Sequence, residues 1–280
     1  MSTAALFAEL IDDAALFPPE NAPMPVAVDE HRRHRAAWYA PLIGPFLCPS
    51  SRLDELAAEV TAPITVRVVV DTGAGGIGPA VDAIAVDERL LLRGIEIALP
   101  PDTPPAAARR AVSALDAAVG GPDGDEPAYL EPARGPGWRA ALEVIAESGY
   151  RAKLRTGGVT PEAFPSEAEI AEFVLACLDL GIPFKCTAGL HRAVRHTSID
   201  GAEQHGFLNL LAAVATCLDG GDVQAVVAVL EDRDAAALAP RVRGLDDRTA
   251  TALRRWFISF GSCSVREPLD DLIALDLVQK

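Results

Sequence analysis

Several things this sequence lacks narrow its class before any motif is considered. Its five cysteines (Cys48, Cys177, Cys186, Cys217 and Cys263) are odd in number and widely spaced, which fits neither a disulfide frame nor a CxxC metal site. Among the five histidines there is no HxH or HxxxH pair, so a zinc site is not expected. Basic residues are scarce: 25 Lys and Arg against 40 Asp and Glu give a formal charge of −15. With no basic stripe to offset that charge, a nucleic-acid or anionic-membrane partner is not expected. No run of about 18 uncharged apolar residues occurs, so no membrane-spanning helix is expected. The opening MSTAALFAELIDDAALF has no basic start before its apolar residues, which argues against a secretory signal. A reducing cytoplasm is the expected compartment. No short repeat or low-complexity linker interrupts the chain, which reads as one domain over residues 1–280.

What is present is an alternation of strands and helices. LIDDAALFPPENA begins as a short strand and runs into a proline-rich loop, followed by a charged helix from Val26 to Tyr39. GPFLCPSS, PITVRVVVDTGAGG, RGIEIALPP and EPAYLEPARG supply the next four strands, with helices near Ser51, over Ile77–Ala85 and over Pro104–Val119 between them. WRAALEVIAESG is a helix, and YRAKLRTGG, SEAEIAEFVLACLDLG and IPFKCTAGL form a strand–helix–strand unit. Its helix carries the capping pattern Ser166-x-x-Glu169 and a Gly181 stop. A loop insertion at about 191–205 precedes the helix HGFLNLLAAVATCLDGG, one or two extra helices lie within about 222–255, and RWFISFGSCS is the last strand before a helix Pro268–Val278. Eight strands, nearly all separated by helices, predict a single (β/α)8 barrel of the TIM type. An open doubly wound sheet would need a glycine-rich fingerprint after its first strand, and FPPENAP is not one.

Strands joined by helix crossovers are parallel and normally apolar on both faces. Several strands here are not. Strand side chains alternate, so Tyr150, Ala152 and Leu154 oppose Arg151, Lys153 and Arg155, and Phe184 and Cys186 oppose Lys185 and Thr187. With the apolar faces packed on the outer helices, Arg67, Asp71, Glu96, Glu131, Lys153, Arg155, Lys185 and Thr187 point into the barrel. Ions are rarely buried without partners, so a self-neutralising ion-pair network is one reading. A polar active site at the carboxyl ends of the strands is the other. A lysine crowded by cations and partly desolvated falls from its ordinary pKa of ~10.4 toward ~7–8, which frees an amine for Schiff-base chemistry. Lys153 and Lys185, on adjacent strands, suit that role.

Lys153-Leu154-Arg155-Thr156-Gly157 resembles the K-x-x-T-G turn of the deoxyribose-phosphate aldolase family, and Lys185-Cys186-Thr187-Ala188-Gly189 is similar to that family's next-strand lysine motif. Phe260-Gly261-Ser262-Cys263-Ser264 resembles its last-strand F-G-x-S-S turn. Leu10-Ile11-Asp12, Leu16-Phe17-Pro18, Leu47-Cys48-Pro49 and Leu130-Glu131 sit where the family has comparable short pieces. The resemblance implies a class I aldolase without a cofactor. Lys153 would form the Schiff base, Lys185 would tune it, and the last-strand amides would hold phosphate. Its acidic relay would fall on Glu96, or be missing if the register puts Ala98 there. Arg155 stands where the family has a small residue, and the long loop HRAVRHTSIDGAEQH adds His191, Arg192, Arg195, His196 and His205 as anion contacts or as a solvated lid.

The glycines Gly157, Gly158, Gly189 and Gly261, with Ser262, Arg155, Arg192, His191 and Thr187, are the candidate substrate contacts, and they predict a small anionic substrate bearing phosphate or carboxylate. Two other functions remain open from the sequence. Asp71, Glu96 and Glu131 could hold Mg²⁺ with Lys153 as the base of an enolase-type reaction. A barrel without catalysis could bind a small molecule. The sequence leaves a homo-oligomer open.

Overall fold

The computed structural model describes residues 3–101, 104–124, 126–198 and 201–279. Eight parallel strands close into a barrel in sequence order: Ile11–Asp13, Ile43–Pro49, Ile64–Val70, Leu90–Ala98, Ala128–Glu131, Arg151–Arg155, Phe184–Thr187 and Phe257–Ser262. These are called the first to eighth strands below. The eighth pairs with the first through Phe260 opposite Ile11 and Ser262 opposite Asp13, which closes the ring. The fold is a (β/α)8 TIM barrel.

The outer strand faces are apolar for the reason the alternation gives: they pack on the surrounding helices. Val66, Val68 and Val70 of the third strand and Ile95 and Ile97 of the fourth are buried. Phe184 of the seventh strand meets Phe173 of the helix Glu167–Leu180 edge-on at 5.8 Å, and Phe260 of the eighth stacks on Phe207 of the helix Phe207–Leu218 at 5.1 Å. Each such buried aromatic contributes about 1.5–3 kcal/mol. The helices Ile77–Ala85 and Pro104–Val119 have the bounds that the sequence predicts.

Some boundaries differ. Three helices (Val223–Glu231, Ala235–Arg243 and Asp247–Trp256) lie between the seventh and eighth strands, beyond the long helix, where one or two are predicted. Asp222, Asp234 and Asp246 each cap one of them by accepting backbone N–H bonds, so the aspartates mark three starts in what reads as one amphipathic stretch. The last helix is Arg266–Ala274 rather than Pro268–Val278. The loop after the seventh strand holds a two-residue antiparallel ribbon, His196–Thr197 with Glu203–Gln204. Residues 199 and 200 of that loop lie outside the described residues. Among the described residues, no helix is long and apolar enough to cross a membrane.

Candidate active site

The barrel interior holds a chain of charges running from strand to strand. Asp12 of the first strand is fully buried, and its Oδ2 accepts from Arg67 Nη1, from Lys185 Nζ at 2.5 Å and from Ser259 Oγ at 2.7 Å. Gly44 makes room for this carboxylate, because a Cβ there would lie 2.2 Å from Asp12 Oδ1. Lys185, also fully buried, bonds to Glu96 as well, and Arg67 stands 3.9 Å from Glu96 Oε1. Glu96 Oε2 lies 2.8 Å from Lys153 Nζ, and Lys153 reaches on to Glu131 Oε2 at 3.1 Å. Arg155 Nε closes the chain on Glu131 Oε1 at 2.7 Å. The parallel register sets Lys153 opposite Lys185 and Arg155 opposite Thr187, which puts the two lysines at one level. Tyr129, fully buried, presents its ring to Arg67 at 5.0 Å and to Lys185 at 5.7 Å.

The charges decide each other's protonation. Burial alone would raise the Glu96 carboxyl, but Lys153, Lys185 and Arg67 outweigh it and hold it well below the carboxylate range. Burial is likewise overcome at Glu131 by Lys153 and Arg155. Burial would push Lys153 down, yet Glu96 and Glu131 bracket the ammonium and keep its pKa above the ordinary lysine value. This corrects the expectation that Lys185 would depress it: the nearest charges to Lys153 are carboxylates, and Lys185 spends its own charge on Asp12 and Glu96.

Other candidates are placed differently. Asp71 follows the third strand and is exposed, accepting from Ser50 Oγ at 2.7 Å and Ser51 N at 3.0 Å, so it joins two strand ends rather than the interior. A slight desolvation of Asp71 is outweighed by those serine donors, which hold its carboxyl below the usual range. The three carboxylates of the Mg²⁺ alternative are therefore not brought together, and Glu96 and Glu131 are bridged by Lys153. Gly157 and Gly189 pack on one another: a Cβ on Gly157 would lie 2.8 Å from Gly189 Cα, and Gly189 has φ +75°. They allow two loops to touch. Gly158 is exposed on the same loop, while Gly261 is buried opposite Thr187. Ser262 Oγ donates to Ser264 O at 2.7 Å. His191 bonds to Glu267 at 2.8 Å and Arg192 pairs with Asp271 at 3.4 Å, both on the last helix. Arg195 pairs with Glu167 and with Glu203 at 3.1 Å, and His205 Nε2 donates to Pro165 O at 2.7 Å, so these two fix the loop to its neighbours. Burial lowers the His205 pKa to about 4.

A cleft of about 390 Å³ opens at the carboxyl ends of the fourth to sixth strands. Ala98, Leu99, Glu131, Arg134, Arg155 and Glu162 line it. Lys153 is not in its wall; the Arg155–Glu131 pair stands between the cleft and the amine. Arg155 keeps 44% of its side chain exposed, against 4% for Lys153. Sequence reasoning missed Asp12 and Ser259, which anchor the innermost charges.

No protein-family model and no curated protein matches the chain. Among solved structures it is similar to a 7,8-dihydropteroate synthase from Vibrio fischeri, at 10% identity and a TM-score of 0.42, over 97% of this chain and 93% of that one. It is also similar to a variant 2-keto-3-deoxygluconate aldolase from Sulfolobus solfataricus in its pyruvate complex, at 12% identity and a TM-score of 0.37, over 97% of this chain and all of the other (100%). At these scores the likeness carries nothing about activity.

Proposed function

We propose that the chain is an aldolase-like lyase in which Lys153 forms a Schiff base with a small anionic carbonyl compound. The observation that supports this most is the position of Lys153 Nζ between Glu96 at 2.8 Å and Glu131 at 3.1 Å, behind the Arg155–Glu131 pair that lines the cleft. The ion-paired set contains four cations (Arg67, Lys153, Arg155 and Lys185) and three carboxylates (Asp12, Glu96 and Glu131), and Arg151 adds a further cation over the Tyr129 ring at 5.6 Å, so cations are in excess. An anionic substrate offsets that excess. Arg155, the exposed member, is the group that meets the anion.

The same contact prepares the nucleophile. When a substrate anion takes Arg155, Glu131 loses a cation and gains proton affinity, and one proton passes from the Lys153 ammonium to Glu131. The amine then adds to the substrate carbonyl, Glu131 gives its proton to the oxygen, takes a second proton from the nitrogen and passes it to the hydroxyl, and water leaves to give an iminium. That iminium accepts the electron pair of the breaking carbon–carbon bond. Glu96 is the poorer acceptor, since Lys185 and Arg67 remain beside it. Lys153 and Arg155 lie two residues apart on one strand face, ~6.6 Å along the strand, and their long side chains can meet on a small substrate that carries both a carbonyl and an anion, such as a 2-oxo acid.

Borohydride reduction with pyruvate or glyceraldehyde 3-phosphate, followed by peptide mass mapping, is expected to place the adduct on Lys153. Lys153→Ala and Lys153→Arg are both expected to abolish trapping, because a guanidinium stays protonated. Trapping that survives in Lys153→Ala and vanishes in Lys185→Ala would assign the nucleophile to Lys185.

A further inference from the structure

A second cleft, of about 340 Å³, lies on the other side of the loop that follows the fifth strand. The two clefts share Pro132 and Arg134 as walls. Its floor is apolar: Leu154, Pro165 and Phe173 are buried there, and the partly exposed Trp138 ring lies against Phe173 at 6.1 Å with a 30° tilt. Leu154 sits between Lys153 and Arg155 in sequence and faces the opposite side of the sixth strand. The second cleft therefore starts one strand thickness from the reacting amine. At its rim Arg134 pairs with Glu169 at 3.5 Å, which leaves the rim without a free charge from that pair to draw an ion inward.

We propose that this cleft holds the apolar distal part of the substrate, an aryl or medium alkyl group, while the anion and carbonyl occupy the first cleft. The inference rests on the Schiff-base reading for the reacting end and on the second cleft alone for the tail. Three features favour one continuous ligand. The shared wall is two residues, short enough for a flexible chain to cross. Gly135 and Gly137, with φ of +108° and +89°, flank Pro136 in the cleft wall, and a Cβ on Gly135 would meet nothing within 4 Å, so the wall is open at that point. The volume is in the range of small-molecule sites, and the lining has their usual composition of apolar walls with polar groups at the edge.

The test compares borohydride trapping of pyruvate and of 4-phenyl-2-oxobutanoate, which share a reacting end. The wild-type chain is expected to trap the phenyl compound more efficiently by about tenfold or more. Glu172→Trp places an indole in the cleft from an exposed helical position, and Trp138→Ala removes its aromatic wall. Both are expected to bring the ratio of the two efficiencies close to one. A ratio near one in the wild type, or a wild-type ratio retained in Glu172→Trp, overturns the proposal. Calorimetry with 4-phenylbutanoate, which has no ketone to form a Schiff base, separates the two readings. If it binds the wild type and not Glu172→Trp while neither oxo acid is trapped, the tail site stands and the Schiff base falls. If it binds neither chain and the trapping ratio is one, the tail site falls.

Discussion

Asp12→Ala is expected to be among the most destabilising single substitutions in this chain. One carboxylate oxygen, Oδ2, serves Arg67, Lys185 and Ser259, and all of these groups are buried. Removing it leaves two buried cations short of an acceptor, a loss of about 3–5 kcal/mol. Urea unfolding at neutral pH measures it, and a loss under about 1 kcal/mol would show that water or Glu96 takes over the role. Lys185→Met in the Asp12→Ala background is expected to recover part of the loss, since it removes one of the stranded charges. The charges also set a pH window. Glu96 and Glu131 have depressed pKa values, so their contribution is present above ~4.3 and is lost as acid carries them through their folded values. Lys153 has a raised pKa, so its contribution is present below ~10.4 and is lost as the pH rises through its folded value. Thermal stability is expected to be flat between about pH 5 and 10 and to fall on both sides.

Glu131→Gln is expected to change the pH profile of the reaction more than any other substitution near the cleft. In the native chain the reactive pair, neutral amine and protonated Glu131, has the same proton count as the resting pair. Its concentration therefore does not depend on pH between the depressed Glu131 value and the raised Lys153 value, and trapping efficiency is expected to be level from about pH 5 to 9. Glutamine cannot take the proton. Trapping at pH 7 is expected to fall about 10²–10⁴-fold and to climb with alkali, as the amine must lose its proton to solvent. A level profile in Glu131→Gln would assign the transfer to Glu96. A native profile rising steeply through pH 7–8 would instead restore a depressed lysine pKa.

The barrel was legible in the sequence because the outer faces obey a period of two between helices with recognisable caps. The interior was only partly legible. Arg67, Glu96, Glu131, Lys153 and Lys185 could be sent inward because each interrupts an apolar strand, and all five are buried. Asp12 could not. Its strand is three residues long and carries two adjacent acids, one facing in and the other, Asp13, facing out to His31 at 2.8 Å. Period alone does not say which is which. Asp71 was the reverse case: alternation was extended one residue past the strand end, where a turn had already redirected the side chain. Ser259 is small and neutral, and nothing in FISFGS marks its hydroxyl as a donor to a buried acid. The protonation of Lys153 was misjudged because same-face lysines suggest repulsion, while the carboxylates on neighbouring strands, nearer than the second lysine's influence, set its charge.

The chain of ion pairs has a consequence for how the polypeptide divides. A cut between the fourth and fifth strands would leave Asp12, Arg67 and Glu96 in the first half and Glu131, Lys153, Arg155 and Lys185 in the second. The first half would keep two acids for one base, and the second three bases for one acid. Neither fragment can bury its own inner face in that condition, but the surpluses have opposite sign. Expressed apart, the halves should stay open and solvated. Both fragments are acidic overall, so charge does not draw them together from a distance; the complementary inner charges act only once the two inner faces meet. The ring satisfies its interior charges only on closing.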